Sequence, residues 1–427
     1  MGVSSAMVGK RKGTSTLQRG SVDGCQYTIV DNNGVDFFYG LATPVVTGNA
    51  RDQIFSAFDS LQSALDKAEF TCPVKLNVFL RRIGDKQLVR SIKDYLWNEQ
   101  CQPATTFIAQ APCNQEHDVV LELIAVDTAK SDELSHPVDI YECNERATVI
   151  EYDDVMFGFF GGFVPDEESL DAYERSYSAF TRMRNEVETS QFRFANVFRT
   201  WLYQGSIVLP EGDSQRYKEL NAARSDFFYG MRFLERFLPR DVKYGAVYPG
   251  STGIGADDVD VAMSCMAIKS QRDDIIVAPI ENPLQTSAFD YSERYSPQSP
   301  KFSRAVALAF NDRARVYVSG TASIVDQKTV HVDDPEGQTN QTLDNIEALI
   351  AGENLERYGV RGFDANLKDL ATARVYVKKP EHYDAIRAIC EKRLKGVPTV
   401  YTYADVCRDD LLVEVEGIAS CRVMAKE

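Results

Sequence analysis

The sequence predicts an α/β (α+β) protein made of three tandem, diverged copies of one ββαβαββ unit, and three observations carry that prediction. Strand-like alternation and helix-like apolar stripes follow one another in the same order three times along the 427 residues. The order recurs at intervals of roughly 140 residues, longer than a solenoid period and close to the size of a duplicated domain. Hydrophobic residues make up 44% and charged residues 26%, near the globular average, so each copy carries enough apolar surface for a core.

Copy one, 23–135, opens on YTIVDNNGVDFFYGLATP, where two β-rich runs flank the turn signal Asp31-Asn32-Asn33-Gly34. A helix is expected over 50–68, with Ile54, Phe55, Phe58, Leu61 and Leu65 on one stripe. A strand (74–80), a helix (86–97) and strands at 104–110 and 118–126 complete the unit. Copy two, 140–280, repeats the order with RATVIEYDDVMFGFFGGFVP, helices over 167–187 and 215–237, and strands over 194–203, 243–248 and 259–268. Copy three, 306–427, runs from ARVYVSGTASIV through helices at 338–350 and 381–394, with strands at 373–377 and 399–403, to LLVEVEGIA. Residues 1–22 read as a loose, basic tail. Residues 281–305 (ENPLQTSAFDYSERYSPQSPKFSRA) have neither period and read as a loop clasping copies two and three, a candidate cleft wall.

Forty-seven basic against sixty-three acidic residues give a net charge of −16, a field that repels phosphate backbones and anionic membranes. Nucleic acid and membrane are therefore excluded as expected partners, while a few arginines in one cleft still suit a small anion. No long apolar run and no secretory h-region appear, so a cytoplasmic location is expected. The nine cysteines form no CxxC pair and fit reduced thiols; the four histidines show no ligand spacing, so no metal site and no cofactor are expected. Ser251 to Gly255 (STGIG) lacks the P-loop lysine and reads as a tight turn, and Asp257, Asp258 and Asp260 after it as a solvated acidic loop.

The strings NVFLRR, PATTFI and VVLELIAV of copy one resemble the RidA/YjgF family of small enamine/imine deaminases, whose chorismate-mutase-like units form homotrimers with a ligand cleft at each interface. Three copies in one chain then imply a covalent pseudo-trimer, monomeric or weakly self-associating. The family's deaminases hold a substrate carboxylate with an arginine directly after a Pro-Ala pair. This chain has Pro103-Ala104-Thr105 there, and the matching segment of copy three, 397–406, has no arginine. A threonine cannot make the bidentate contact of a guanidinium, so deamination stands only as an alternative, beside non-catalytic anion binding.

Copies two and three, from about Phe157 to Ala419, carry a narrower likeness. FRTWLY with RYKELNAAR, then STGIG, ENPLQTSAFDYSERYSPQSPKFSRA, SGTASIV, VHVDDPEGQTNQTLDNI and ADVCRDDLLVEVEGIA stand in the order found in chorismatases, which the chain resembles. That resemblance implies a cofactor-free hydrolase of the enol-pyruvyl ether of chorismate or a related small anionic aromatic or cyclic carboxylate. Its products would be pyruvate and a dihydroxycyclohexadiene carboxylate or a hydroxybenzoate. Glu414 matches the acid/base position; pattern alone favours a wet-face strand glutamate, and the resemblance reverses that order. Arg224 and Arg393 are the expected carboxylate anchors, with Arg199 and Tyr295 as further substrate contacts and Ala322 and Cys407 as pocket-lining positions that bear on the product. Glu416 is expected to be structural, and Cys407 a buried thiol, not a nucleophile.

Overall fold

Each copy builds its own six-stranded sheet, and the three sheets share one strand order. The computed structural model describes residues 17–32, 35–97, 102–127, 138–166, 171–258, 260–292 and 298–423. Unit one contains β1 (Leu17–Val22), β2 (Cys25–Asn32), β3 (Val35–Ala42), α1 (Ala50–Ala68), β4 (Cys72–Leu80), α2 (Lys86–Leu96), β5 (Ala104–Ile108) and β6 (Val119–Val126). Unit two contains β7 (Asp139–Cys143), β8 (Ala147–Tyr152), β9 (Val155–Phe163), α3 (Ala172–Thr189), β10 (Val197–Gly205), the short β11 (Pro210–Glu211) and β12 (Ser214–Gln215), α4 (Arg216–Phe227), β13 (Gly250–Ala256) and β14 (Val261–Ser270). Unit three contains β15 (Ile276–Ile280), β16 (Ala305–Phe310), β17 (Arg313–Ala322), the short β18 (Ile324–Val325) and β19 (Lys328–Thr329), α5 (Pro335–Ile350), α6 (Gly352–Arg357), β20 (Leu370–Val377), α7 (Tyr383–Arg393), β21 (Thr399–Tyr403) and β22 (Val413–Arg422).

Read from its first strand, every sheet runs first, second, third, last, fourth, fifth: β1-β2-β3-β6-β4-β5, then β7-β8-β9-β14-β10-β13, then β15-β16-β17-β22-β20-β21. The one parallel pair in each, β4 with β5, β10 with β13 and β20 with β21, is joined through a helix, as a crossover requires. Local chemistry fixes the helix starts. Asn49 accepts the amide of Asp52 at α1, Asp171 and Glu174 form a capping box at α3, and Asp334 with Pro335 opens α5.

Several boundaries differ from the sequence expectation, each for a physical reason. Residues 17–22, expected as tail, form β1; its sequence LQRGSV is polar and largely solvent-facing, so no apolar alternation marks it. β15 pairs with β16, so unit three begins at Ile276 and the loop 281–305 lies inside that unit. The helix expected over 215–237 stops at Phe227, with Gly230 in the left-handed conformation just beyond it. No strand forms at 243–248. The strand is STGIG itself, within β13, where the amide of Gly255 donates to the Asp405 carbonyl at 2.8 Å; a Cβ on Gly255 would overlap that backbone. Cys143 is disulfide-bonded, against the expectation of reduced thiols, while seven other described cysteines are free. No helix among the described residues is long and apolar enough to cross a membrane.

The three units meet around a buried polar centre. Arg374 of β20 bridges Glu122 of β6 and Glu416 of its own sheet neighbour β22, and Arg199 of β10 closes on the other oxygen of Glu416. Trp201, Thr252 and Tyr376 also donate to Glu416, and Asn77 donates to Glu122 at 2.8 Å. Lys75 of β4 donates to the Phe160 carbonyl and lies 5.1 Å from the Trp201 ring centre. Burial, and then the cation of Arg374, lower its pKa from 10.5 to about 7.

Two stability measurements follow. Truncating Arg374 to Ala leaves Glu122 and Glu416 buried and under-paired, and is expected to cost about 3–5 kcal/mol in denaturant unfolding. Lys75 binds fewer protons folded than unfolded between pH 7 and 10.5, so its own contribution to stability rises with pH across that window. Lys75→Met is expected to remove that contribution, so the thermal midpoint of the wild type relative to the variant rises with pH across the window; a constant difference would show that Lys75 is charged in the folded chain.

Candidate active site

A cavity of about 460 Å³ opens between units two and three. Unit two supplies Tyr217 and Arg224 from α4 and Ser251 and Gly253 from β13; unit three supplies Phe302 and Arg304 before β16, Gly320 and Ala322 from β17, and Cys407 and Glu414. Glu414 reaches it because β22 pairs with β17 and β20, which sets Glu414 opposite Ala322 on one side and Tyr376 on the other. Gly320 leaves room for it, since a Cβ there would overlap Glu414 Oε1.

Glu414 and Glu416 stand two residues apart on one strand and on one face, yet their environments drive them in opposite directions. Burial, with Glu416 adding like-charge repulsion, raises Glu414 to about 8, so its carboxyl carries a proton at neutral pH. Burial pushes Glu416 the same way, but Arg374 and Arg199 more than offset it and hold Glu416 below the usual carboxylate range. One is a proton donor facing a cavity; the other is a locked anion.

Two guanidinium groups line the cavity together with Glu414. Arg224 is 1% exposed; it donates to Asn221 and to Ser251 Oγ, lies over the Phe302 ring, and keeps a buried Nε without a partner. Arg304 is 3% exposed; its Nη2 donates to the Thr286 carbonyl and, at 2.6 Å, to the Tyr291 hydroxyl, and its Nε is also buried without a partner. Neither forms an ion pair with a carboxylate among the described residues, in contrast to Arg199 and Arg374. Two buried cations without an ion-paired carboxylate, beside a protonated acid, can seat an anion.

The structure gathers Glu414, Arg224, Ala322 and Cys407 around this cavity. Burial raises the Cys407 thiol to about 12, so it is neutral. Arg199 does not line the cavity; it is ion-paired to Glu416 and donates to Thr252, behind the wall. Arg393 is also elsewhere: at the end of α7 it pairs with Asp344 and Glu347 of α5, a helix-to-helix tie on the surface. Tyr295 lies outside the described residues, and Tyr291 of the same loop lines the cavity instead. Sequence reasoning missed Arg304. Its signal was an arginine directly before the apolar run AVALAF, at the end of the loop read as a cleft wall. Thr105, at the position of the deaminase arginine, turns its hydroxyl to the Pro103 carbonyl at 2.7 Å and offers no anchor.

The pseudo-threefold arrangement repeats this cleft at the other two junctions with different linings. Between units one and two it shrinks to about 140 Å³ around Thr105 and Arg146; between units three and one it is about 660 Å³, lined by His117, Tyr383, Arg387 and Tyr401. In that last cleft Arg387 is already paired with Glu391 at 2.7 Å. Among the described residues, no group of three or more His, Cys, Asp or Glu side chains is gathered around a point that would suit a metal ion.

No family model matches the chain. It is 32% identical over 283 residues to the 3-hydroxybenzoate synthase of Streptomyces hygroscopicus, covering 65% of this chain and 78% of that protein. It is 35% identical over 231 residues to a chorismatase of Streptomyces rapamycinicus, covering 53% of this chain and 65% of that protein. A crystal structure of a chorismatase superposes with a TM-score of 0.61 at 22% identity, over 82% of this chain and 93% of that one. This likeness in fold reaches into unit one, further than the strings of units two and three that mark it in sequence. With a relative of this identity matched over more than three quarters of its length, the chain belongs to the chorismatase family.

Proposed function

We propose that the protein hydrolyses the enol-pyruvyl ether of chorismate, or of a closely related cyclic dicarboxylate, in the cavity between units two and three. The observation that carries this reading is a buried, protonated Glu414 in one cavity with two guanidinium groups that form no ion pair with a carboxylate among the described residues. An enol ether is cleaved by protonating its terminal methylene carbon, which converts the substituted carbon to an oxocarbenium ion. Glu414 supplies that proton. Water then adds to the cation and loses a proton, and the hemiketal collapses to pyruvate and the ring alcohol. Arg224 and Arg304 grip the two carboxylates, and Tyr217, whose hydroxyl burial keeps protonated, stands beside Arg224 as a further donor. Ala322 and Cys407, small and uncharged, line the wall and leave the ring space.

Release of pyruvate from chorismate by the pure chain is the direct test, with the ring product identified by chromatography. Binding of an aromatic carboxylate without pyruvate release would leave a binding protein. Glu414→Gln keeps the shape and removes the acid, so kcat is expected to fall by at least about 100-fold. In the wild type kcat should hold its plateau below pH 8 and fall above it, as the acid loses its proton. Arg304→Ala is expected to raise KM by about 10- to 100-fold through loss of a charge-assisted contact, whereas Arg393→Ala, on the α5–α7 tie, leaves KM within about twofold. Equal effects from the two arginine variants would remove Arg304 from the site.

A further inference from the structure

Arg304 does not stand alone in its wall. The β15–β16 ladder ends on the pair Ile280 and Ala305, so Glu281 and Arg304 are the next residues opposite each other across the antiparallel strands. The Arg304 amide donates to Glu281 Oε1 at 3.4 Å. The Glu281 carbonyl is fixed by Asn354, which donates to it at 3.1 Å and also to Leu349 at 2.9 Å, so α6 holds this corner in place. Glu281 itself does not line the cavity, and it forms no ion pair among the described residues. It is a carboxyl set behind a cavity cation, close enough to act on its charge, with no ion pair closed between them.

We propose that Glu281 is a positioning residue that sets the grip of the anion seat: its charge, acting through Arg304, decides how strongly that guanidinium holds a ligand carboxylate. When neutral, Glu281 leaves the Arg304 charge to the ligand. When ionised, it opposes a second anion arriving at the same cation. Burial raises its pKa to about 7, with Arg304 pulling the other way, so both states are reached near neutrality. The other groups that bear on the pair are known. Tyr358 faces Glu281; Tyr217, Tyr291 and the Cys407 thiol, which burial raises to about 12, face Arg304; and Glu414 lies across the cavity with its own transition near 8. Burial raises the Tyr217 and Tyr358 hydroxyls, so the two carboxyls are the groups that change charge.

This inference rests on the proposed anion-binding cavity, and the test separates the two. Titration calorimetry with 3-hydroxybenzoate as the probe, on the full chain from pH 5.5 to 9.5, is run beside pyruvate release from chorismate. The wild-type Kd is expected to weaken by about tenfold across a transition near 7, with a second transition near 8 from Glu414. Glu281→Gln, isosteric and permanently neutral, should lose the transition near 7, keep the one near 8, and bind at pH 9 more tightly than wild type at an unchanged thermal midpoint. Glu414→Gln should show the reverse loss, and Glu281→Asp should restore the transition near 7. Retention of that transition in Glu281→Gln, with binding intact, overturns the role given to Glu281 alone. Absence of both probe binding and pyruvate release in the wild type overturns the cavity reading and this one with it.

Discussion

The arrangement depends on one buried set of charges, the chain Glu122–Arg374–Glu416–Arg199, which joins all three units at their common centre. Two cations and two anions cancel, and the neighbouring Lys75 escapes the cost of a fifth charge by giving up its proton readily. Hydrophobic contact alone would let three similar sheets slide or exchange partners. A buried ion network does not tolerate that, because any shift leaves a charge without its partner in a low-dielectric centre. The carboxylate of Glu122 comes from unit one, so the first unit is part of what positions Glu416, and through β22 what positions Glu414.

The same centre shows how three related units became unequal. Phe37, Phe157 and Arg315 stand at matching registers in their sheets, opposite Val30, Ile150 and Leu308. The guanidinium of Arg315 lies 4.5 and 5.1 Å from the ring centres of the two phenylalanines. A cation between two ring faces makes a symmetric position asymmetric. The three clefts follow suit. One is nearly closed around Thr105, one is wide with its arginine already paired to Glu391, and one combines a protonated acid with two arginines that lack carboxylate partners. The identical strand order therefore supplies geometry to all three junctions, and side-chain chemistry selects one.

How much of this was legible in the sequence depends on where each signal resides. Strands with buried faces, such as β6 and β20, and amphipathic helices such as α1 announce themselves, because burial forces the apolar pattern. The edge strand β1 does not, because its face is wet, and β13 does not, because its small residues answer to the close approach of the Asp405 backbone and not to strand propensity. Glu414 was readable from its strand and from family likeness. Arg393 and Arg304 were not separable by local sequence: each is an arginine near an apolar run. What distinguishes them is three-dimensional, the presence of Asp344 and Glu347 beside the first and the absence of any ion-pairing carboxylate beside the second.

That contrast points to a general feature of the site. Of the arginines buried near Glu414 and Glu416, Arg199 and Arg374 are committed to the structural anion, and Arg224 and Arg304 are not committed to any carboxylate. The division is what lets Glu414 remain an acid. Were Arg199 free to swing toward it, its pKa would fall toward that of Glu416, and no proton would be available at neutral pH. Were Arg304 or Arg224 ion-paired to Glu414, the cavity would be neutral in charge and indifferent to a dianion. The central network thus performs a second task beyond joining the units. By saturating two arginines with a neighbouring carboxylate on the same strand, it keeps one glutamate protonated and two guanidinium groups available, within a cavity of about 460 Å³.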